Sequence, residues 1–495
     1  MNSYLSKSKI LSGLQCPKRL YLEVHNPELA EESDDQQKAF NYGNQVGEVA
    51  RQLHSGGRMI EYDEGLSRAL EETRLLLAQP SQALFYEATF SFSGVLVRAD
   101  IFRQGDTGHR LIEVKAATEV KDHYLWDCAV QVWVIEGAGY PLERVELAHV
   151  DNSFIYPGNS EYQGLLAYQD LTATIRPYLD QIPGKVAEFR SLLQGEMPLI
   201  ETGGHCDDPY PCPFWSYCSQ GQPDPPEYPI NALPYARGYL LEALKTDGID
   251  DIRQIPEGYL SSDNHERVRR ITVSGQPELE PGAGEYLREL TYPRYYLDFE
   301  TIQFAVPIWA GTRPYQQLPF QFSCHIEAQP GELTHTWFLD TSGQSPSRSL
   351  AERLLAVLGD SGPIFSYGHY EKTIINSLMA MFPDLAENLG GLLARIEDLL
   401  PLTRRHYYHQ QMKGTWSLKA VLPTIAPDLD YESLDEVQDG GSAQLAYAEA
   451  IDPATPPERR QELSEKLLAY CRMDTLGLVR LVTFFQVAPG PVPHP

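Results

Sequence analysis

Short runs of alternating apolar and polar residues recur along this chain, interleaved with stretches of helical spacing. "SGVLVRADIFRQ" and "RLIEVKAATEV" read as consecutive strands, with Asp100 near the end of the first and Glu113 and Lys115 in the second. "HYLWDCAVQVWVI" then reads as a helix carrying Gln131. Far downstream, "RYYLDF", "FQFSCHIE", "HTWFLD" and "PIFSY" are strand candidates rich in β-prone residues. "SRSLAERLLAVLGD", "EKTIINSLMAMF" and "PERRQELSEKLLAYCRMDTLGLVRLVTFF" space their apolar residues as helices with a buried face do. Strands alternating with such helices predict an α/β fold.

Breaks in this pattern divide the chain. The stretch "SQGQPDPPEYP" reads as a linker and closes a first block at residue 222. A second block, 226–285, has helical stretches on either side of "DGIDDI" and predicts a small helical module. A third, 286–487, carries the later strands and helices, and "APGPVPHP" at 488–495 is expected to be a disordered tail. The chain has 495 residues, enough for two to four domains. No apolar run is long enough to cross a membrane. The start, "MNSYLSKSKILSGLQCPKRL", has no apolar signal-peptide core, so a cytoplasmic location is expected.

Charge narrows the function classes. A formal net charge of −28 argues against a broad electrostatic grip on nucleic acid. It is compatible with carboxylates that collect metal ions beside one locally basic groove. Seven cysteines suit a metal site better than a disulfide framework in a chain of this size. Cys128, Cys324 and Cys471 lie in apolar surroundings and read as core. Cys16 precedes the Asp100–Lys115 strands, and Cys206, Cys212 and Cys218 follow them at intervals of six. That interval is neither the paired spacing of zinc modules nor a ferredoxin run.

Two carboxylate constellations carry the candidate chemistry. In the first, Glu113 and Lys115 are two apart on a strand and share a face. Asp100 and Glu113 can hold a divalent ion through hard oxygens, with Lys115 positioning or activating a water. In the second, "YYLDFETI" puts Asp298 and Glu300 on one strand face, and "AYCRMDTLGL" puts Tyr470 and Asp474 four apart on a helix. The segment "TRRHYYHQQMKGTWSLKAV" mixes Arg404, Arg405, Lys413 and Lys419 with Tyr407, Tyr408 and Trp416. It is a candidate nucleic-acid contact, cations meeting phosphates and rings stacking on bases, or else a solvated loop with packing aromatics. Arg313, Tyr315 and Gln316 form a second candidate loop.

The first constellation resembles the PD-(D/E)XK nuclease superfamily in its RecB-type iron–sulfur branch, which includes Cas-type exonucleases and the AddB nuclease. The resemblance implies a restriction-endonuclease-like domain with Asp100, Glu113, Lys115 and Gln131 as catalytic residues. Ile135 stands at the family's motif tyrosine. In "YGNQVGEVAR" Gly47 stands at its histidine, with Glu48 adjacent. The same resemblance implies that Cys16, Cys206, Cys212 and Cys218 hold a 4Fe-4S cluster that clips the two ends of the block together, with zinc as the alternative.

The second constellation resembles the DEDDy 3′–5′ exonucleases of the ribonuclease H-like superfamily, which implies Asp298, Glu300 and Asp474 as metal-binding carboxylates, Glu371 after Tyr370 in "FSYGHYEKTII" as the catalytic acid of the family's middle motif with Asp398 in reserve, and Tyr470 beside the attacking water. The middle block is loosely similar to a helix-hairpin-helix. Together these imply a metal-dependent nuclease using Mg2+ or Mn2+, exonucleolytic on single-stranded or end-containing DNA. DNA is expected over RNA, with a helicase or another repair or defence protein as a possible partner. Two alternatives stay open: a nucleic-acid-binding scaffold with decayed sites, and an exoribonuclease.

Overall fold

In the computed structural model, residues 4–31, 34–63, 65–79, 83–105, 107–221, 224–429, 434 and 436–487 are described. The expected tail at 488–495 lies outside them. The fold is mixed α/β, and the chain forms two compact units. Among the described residues no helix is long and apolar enough to cross a membrane.

The first unit comprises Met1–Gln222 and Phe304–Gln316. Its sheet contains β1 (Leu5–Ser6), β2 (Arg58–Met59), β3 (Leu84–Phe92), β4 (Val95–Arg103), β5 (His109–Lys115), β6 (Leu142–Val150) and β7 (Leu166–Asp170). The order is β2-β3-β4-β5-β6-β7, with β1 pairing β4. The β3–β4–β5 and β6–β7 pairs are antiparallel and β5–β6 is parallel. Leu111 of β5 joins a core with the helices Lys7–Gln15, Asp122–Gly137 and Ile182–Gln194. Its neighbour Ile112 joins a second core with Val46, Val49 and Ala50 of the helix Asp34–Leu53. The sheet is thus covered on both faces, as period-2 alternation requires. Ala305 and Val306 also pack into that second core, and the Tyr315 hydroxyl donates to the Ala116 carbonyl. The loop holding Arg313, Tyr315 and Gln316 therefore belongs to this unit, not to the later block that encodes it.

The second unit comprises Pro223–Gln303 and Gln317–Pro495. It carries a β8 (Glu278–Leu279) and β14 (Tyr407–Tyr408) pair and a five-stranded sheet. The larger sheet contains β9 (Arg294–Ile302), β10 (Leu318–Glu327), β11 (Leu333–Leu339), β12 (Ile364–Ser366) and β13 (Ile396–Asp398), in the order β11-β10-β9-β12-β13. β9 is antiparallel to β10 and parallel to β12. Tyr295, Leu297 and Phe299 of β9 pack against the helices Ser347–Leu358, Tyr370–Met381 and Ala386–Leu393. Alternation then turns Tyr296, Asp298 and Glu300 to the opposite face, where the helix Pro457–Val487 lies. That helix is fixed across β10 by polar contacts. Gln321 donates to the Leu467 carbonyl at 2.9 Å, and Ser323 and His325 each meet the Thr475 hydroxyl at 2.8 Å.

The middle block does not stand apart. Its helices form, over Gly238–Thr246 and Asp263–Ser274. However, Tyr228, Ile230, Leu244, Val268 and Ile271 share one core with Tyr296, Leu478, Leu481 and Phe485. The apolar faces of its short helices are completed by the later block, because so few residues cannot close a core alone.

Candidate functional site

In the first unit, the antiparallel register that pairs Ile101 with Ile112 brings Asp100 beside Glu113. Glu113 is 1% exposed and heavily engaged. Lys7 and Lys115 hold its Oε1 at 2.8 and 2.7 Å, and Gln131 donates to its Oε2 at 2.5 Å. The same two lysines hold Asp127 at 2.8 and 2.6 Å. Burial pulls both ammonium groups toward neutrality, but Asp127 and Glu113 beside them leave Lys7 and Lys115 above the ordinary lysine range. Burial also acts to raise Asp127, yet Lys115 and Lys7 overcome it and hold this carboxyl below its usual range.

Asp100 differs. Burial and the charge of Glu113 push it up to about 8, although the Val114 N–H donates to it at 2.7 Å. It lines a cavity of about 370 Å³ with Gly47, Glu48, Arg51 and Glu87. Glu113 is not among that cavity's lining residues. The structure thus joins Glu113, Lys115 and Gln131 in one network and sets Asp100 at its edge. Sequence reasoning missed Lys7 and Asp127. Asp127 was legible in principle, four residues before Gln131 on one helix face. Lys7 lies 106 residues from Glu113, and no local pattern announces it.

The four outlying cysteines converge on one another. Cys16 and Cys206 are buried, and Cys212 and Cys218 are partly exposed. Gln15 donates to the His205 and Tyr210 carbonyls at 2.9 and 2.7 Å, and the Cys212 N–H donates to the Cys206 carbonyl at 2.7 Å. Burial raises the Cys212 and Cys218 thiols, and proximity to Cys16 and Cys206 raises them further. No three of the four sulfurs lie within 4.8 Å of one another. Cys128 and Cys324 are core residues, as expected.

The second unit gathers acids around a cavity of about 680 Å³. Asp298, Glu300, Tyr370, Glu371, Tyr470 and Asp474 all line it. Burial and then the charge of Asp474 hold both Asp298 and Glu300 well above the carboxylate range. Glu371 reaches about 8 through burial, with Asp398 and Asp474 adding to it against the pull of its own backbone N–H. Its Oε2 is buried without a hydrogen-bond partner. Asp398, the reserve candidate, instead caps a helix, accepting from the Gly368 and Leu400 N–H groups at 2.7 and 2.9 Å. The cations lining the cavity are Arg404 and Lys419. Lys419 lies 5.6 Å from the Tyr470 ring centre and draws Glu300 down, without overcoming burial and Asp474.

Cys471 is buried in the core, as expected, but it also faces the acid cluster. It is fully buried, but its thiol donates to Asp298 Oδ2 at 3.4 Å. The ligand atoms of Asp298, Glu300 and Cys471 lie within 4.8 Å of one another, the one such group among the described residues. Helical spacing carries the signal, since Cys471 is three residues before Asp474.

The basic segment divides. Arg404 and Lys419 reach the cavity, whereas Arg405 and Lys413 are exposed and are not among its lining residues. Trp416 lines the cavity but is 3% exposed, and its indole N–H donates to the Tyr407 carbonyl at 2.8 Å. Tyr407 and Tyr408 are core. These rings fill the interior because the middle block supplies apolar partners for them, so the expected stacking role does not fall to Tyr407 and Tyr408. The exposed ring at this cavity is Tyr235, which the sequence reading passed over.

Residues 295–417, which include Asp298, Glu300 and Glu371 but stop short of Tyr470 and Asp474, match a family described as a domain of unknown function (DUF2779). No curated protein matches the chain.

Proposed function

We propose that this chain is a metal-dependent nuclease that hydrolyses DNA phosphodiester bonds, acting exonucleolytically on single-stranded or end-containing DNA. One observation carries this reading. Asp298, Glu300, Glu371 and Asp474 line one cavity, and burial with the charge of Asp474 raises the first three. A divalent cation bound there would offset that repulsion, and a carboxylate donor set suits Mg2+ or Mn2+. When bound, the ion supplies an acidified water and neutralises charge at phosphorus. Asp298, Glu300 and Asp474 would hold it, and Glu371, whose Oε2 has no hydrogen-bond partner, lines the same cavity. Tyr470, one turn before Asp474, orients the water, while Arg404 and Lys419 receive the phosphate. The DEDDy-like, ribonuclease H-type assignment of this unit rests on the same residues.

For the first unit we propose the RecB-type nuclease domain with its cysteine clip. The clustering of Glu113, Lys115 and Gln131 supports it. Four thiolates on one zinc ion would stand about 3.8 Å apart. The wider sulfur spacing suits a larger iron–sulfur group. Anaerobic purification is expected to give a brown protein with about four irons per chain, and colourless protein with stoichiometric zinc would remove this assignment. One observation favours a second reading of this unit as a binding module. Two lysines already neutralise Glu113 and Asp127, which lowers the demand for a metal there.

The deciding experiment is cleavage of labelled single-stranded DNA, blunt duplex and matched RNA in Mn2+. Asp298→Asn is expected to cost roughly 10³-fold in rate, the scale of losing one catalytic metal ligand. Unaltered cleavage by that variant would end the reading of the second unit.

A further inference from the structure

Within the nuclease reading, one feature of the second unit remains unused. Tyr235 lines the carboxylate cavity but is 79% exposed, so its ring stands at the rim. Its backbone has φ 57°, in the left-handed region that a bulky residue avoids. The surroundings impose this conformation. The carbonyl of Pro234 meets His265 Nε2 at 2.8 Å, and the Ala236 N–H donates to the Leu233 carbonyl at 3.2 Å. A Cβ at Gly414 would run into the Ala232 carbonyl oxygen, so the turn is seated tightly on the 414 backbone. Leu233 is 2% exposed and anchors the turn in the core. A turn built to bury its ring would not hold it in solvent at such a backbone angle.

Arg404 completes the arrangement. Its guanidinium lies 6.0 Å from the Tyr235 ring centre and 5.9 Å from that of Trp416, and it donates to the Tyr235 hydroxyl at 3.3 Å. The rim of an acidic cavity therefore presents a fixed aromatic face beside a planar cation. Both surfaces stack on flat π-systems, and the cation also meets phosphate.

We propose that Tyr235 and Arg404 form a clamp for an unpaired nucleobase, holding the nucleotide whose phosphate enters the carboxylate cavity. The clamp takes any base, because every base has a π-face. It rejects a paired end, whose terminal base is already stacked and hydrogen-bonded.

The test uses the full chain with Ca2+ in place of Mg2+ and two fluorescein-labelled probes, ten thymidines and ten abasic sites with the same number of phosphates. Anisotropy is expected to show the wild type binding the thymidine strand about tenfold more tightly than the abasic one. Tyr235→Asn, which suits the left-handed backbone and lacks the ring, is expected to bind both strands equally, at the wild-type abasic affinity. Tyr235→Trp keeps the preference. Equal loss on both probes in Tyr235→Asn, or a preserved preference, overturns the clamp. If the wild type and Asp298→Asn differ in cleavage while Tyr235→Asn keeps the preference, the clamp alone fails and the nuclease reading stands. A wild type that binds neither strand ends both.

Discussion

Each unit buries a group of carboxylates, and the two units balance that charge differently. In the first, Lys7 and Lys115 each touch both Glu113 and Asp127, and the cluster closes on itself. In the second, Asp298, Glu300, Glu371 and Asp474 face a cavity whose lining offers Arg404 and Lys419, and burial with the charge of neighbouring acids pushes Asp298, Glu300 and Glu371 above the ordinary carboxylate range. Matching acidic motifs in sequence can thus describe a finished ion network or an unfinished one. What separates them is the cation that folding delivers.

The contrast is most exposed to a lysine deletion. Lys115→Met leaves Glu113 and Asp127 short of a cation in the interior and should cost about 3 kcal/mol. Hydrogen exchange of the helix Asp122–Gly137 would report it as faster opening, and unchanged protection would mean the network is not holding that unit. The next effect, a slope of up to about 1.4 kcal/mol per pH unit, concerns pH in the second unit without metal. Glu371 has a folded pKa of about 8 against an ordinary 4.5. Between those values the folded chain keeps a proton that the unfolded chain has released, so stability falls as pH rises through the window. Glu371→Gln should flatten this slope in EDTA, and Mn2+ should reduce it in the wild type. Melting curves from pH 5 to 8 that show the same slope for both proteins would contradict the repulsion argument. The smallest effect is expected at Cys471. Cys471→Ser should change stability by about 1 kcal/mol or less. It should lower the preference for Mn2+ over Mg2+ a few-fold, because sulfur is the softer donor, and calorimetric titration of both ions would detect this.

Local spacing explains what could be read in advance. Asp298 and Glu300 share a face because they are two apart on a strand. Tyr470 and Asp474 meet the same cavity because they are four apart on a helix. Glu113 and Lys115 were legible on the same grounds, and Gln131 through the family resemblance. Features that depend on distant chain segments were not. Lys7 reaches Glu113 from the first helix, and Trp416 is buried because its indole bonds Tyr407 and the middle block closes over it. The middle block itself looked separate because its helices are regular. The missing half of its core lies more than a hundred residues away, at Leu478 and Leu481.

The short detour at 304–316 has a consequence for where the gene can be cut. Those thirteen residues leave the second unit's chain and supply Ala305, Val306 and Tyr315 to the interior of the first. A gene fragment ending near codon 222 would encode an N-terminal body with an open seam, and one starting there would keep a loop stripped of its seat. Either cut would therefore separate the first body from chain that its own interior uses.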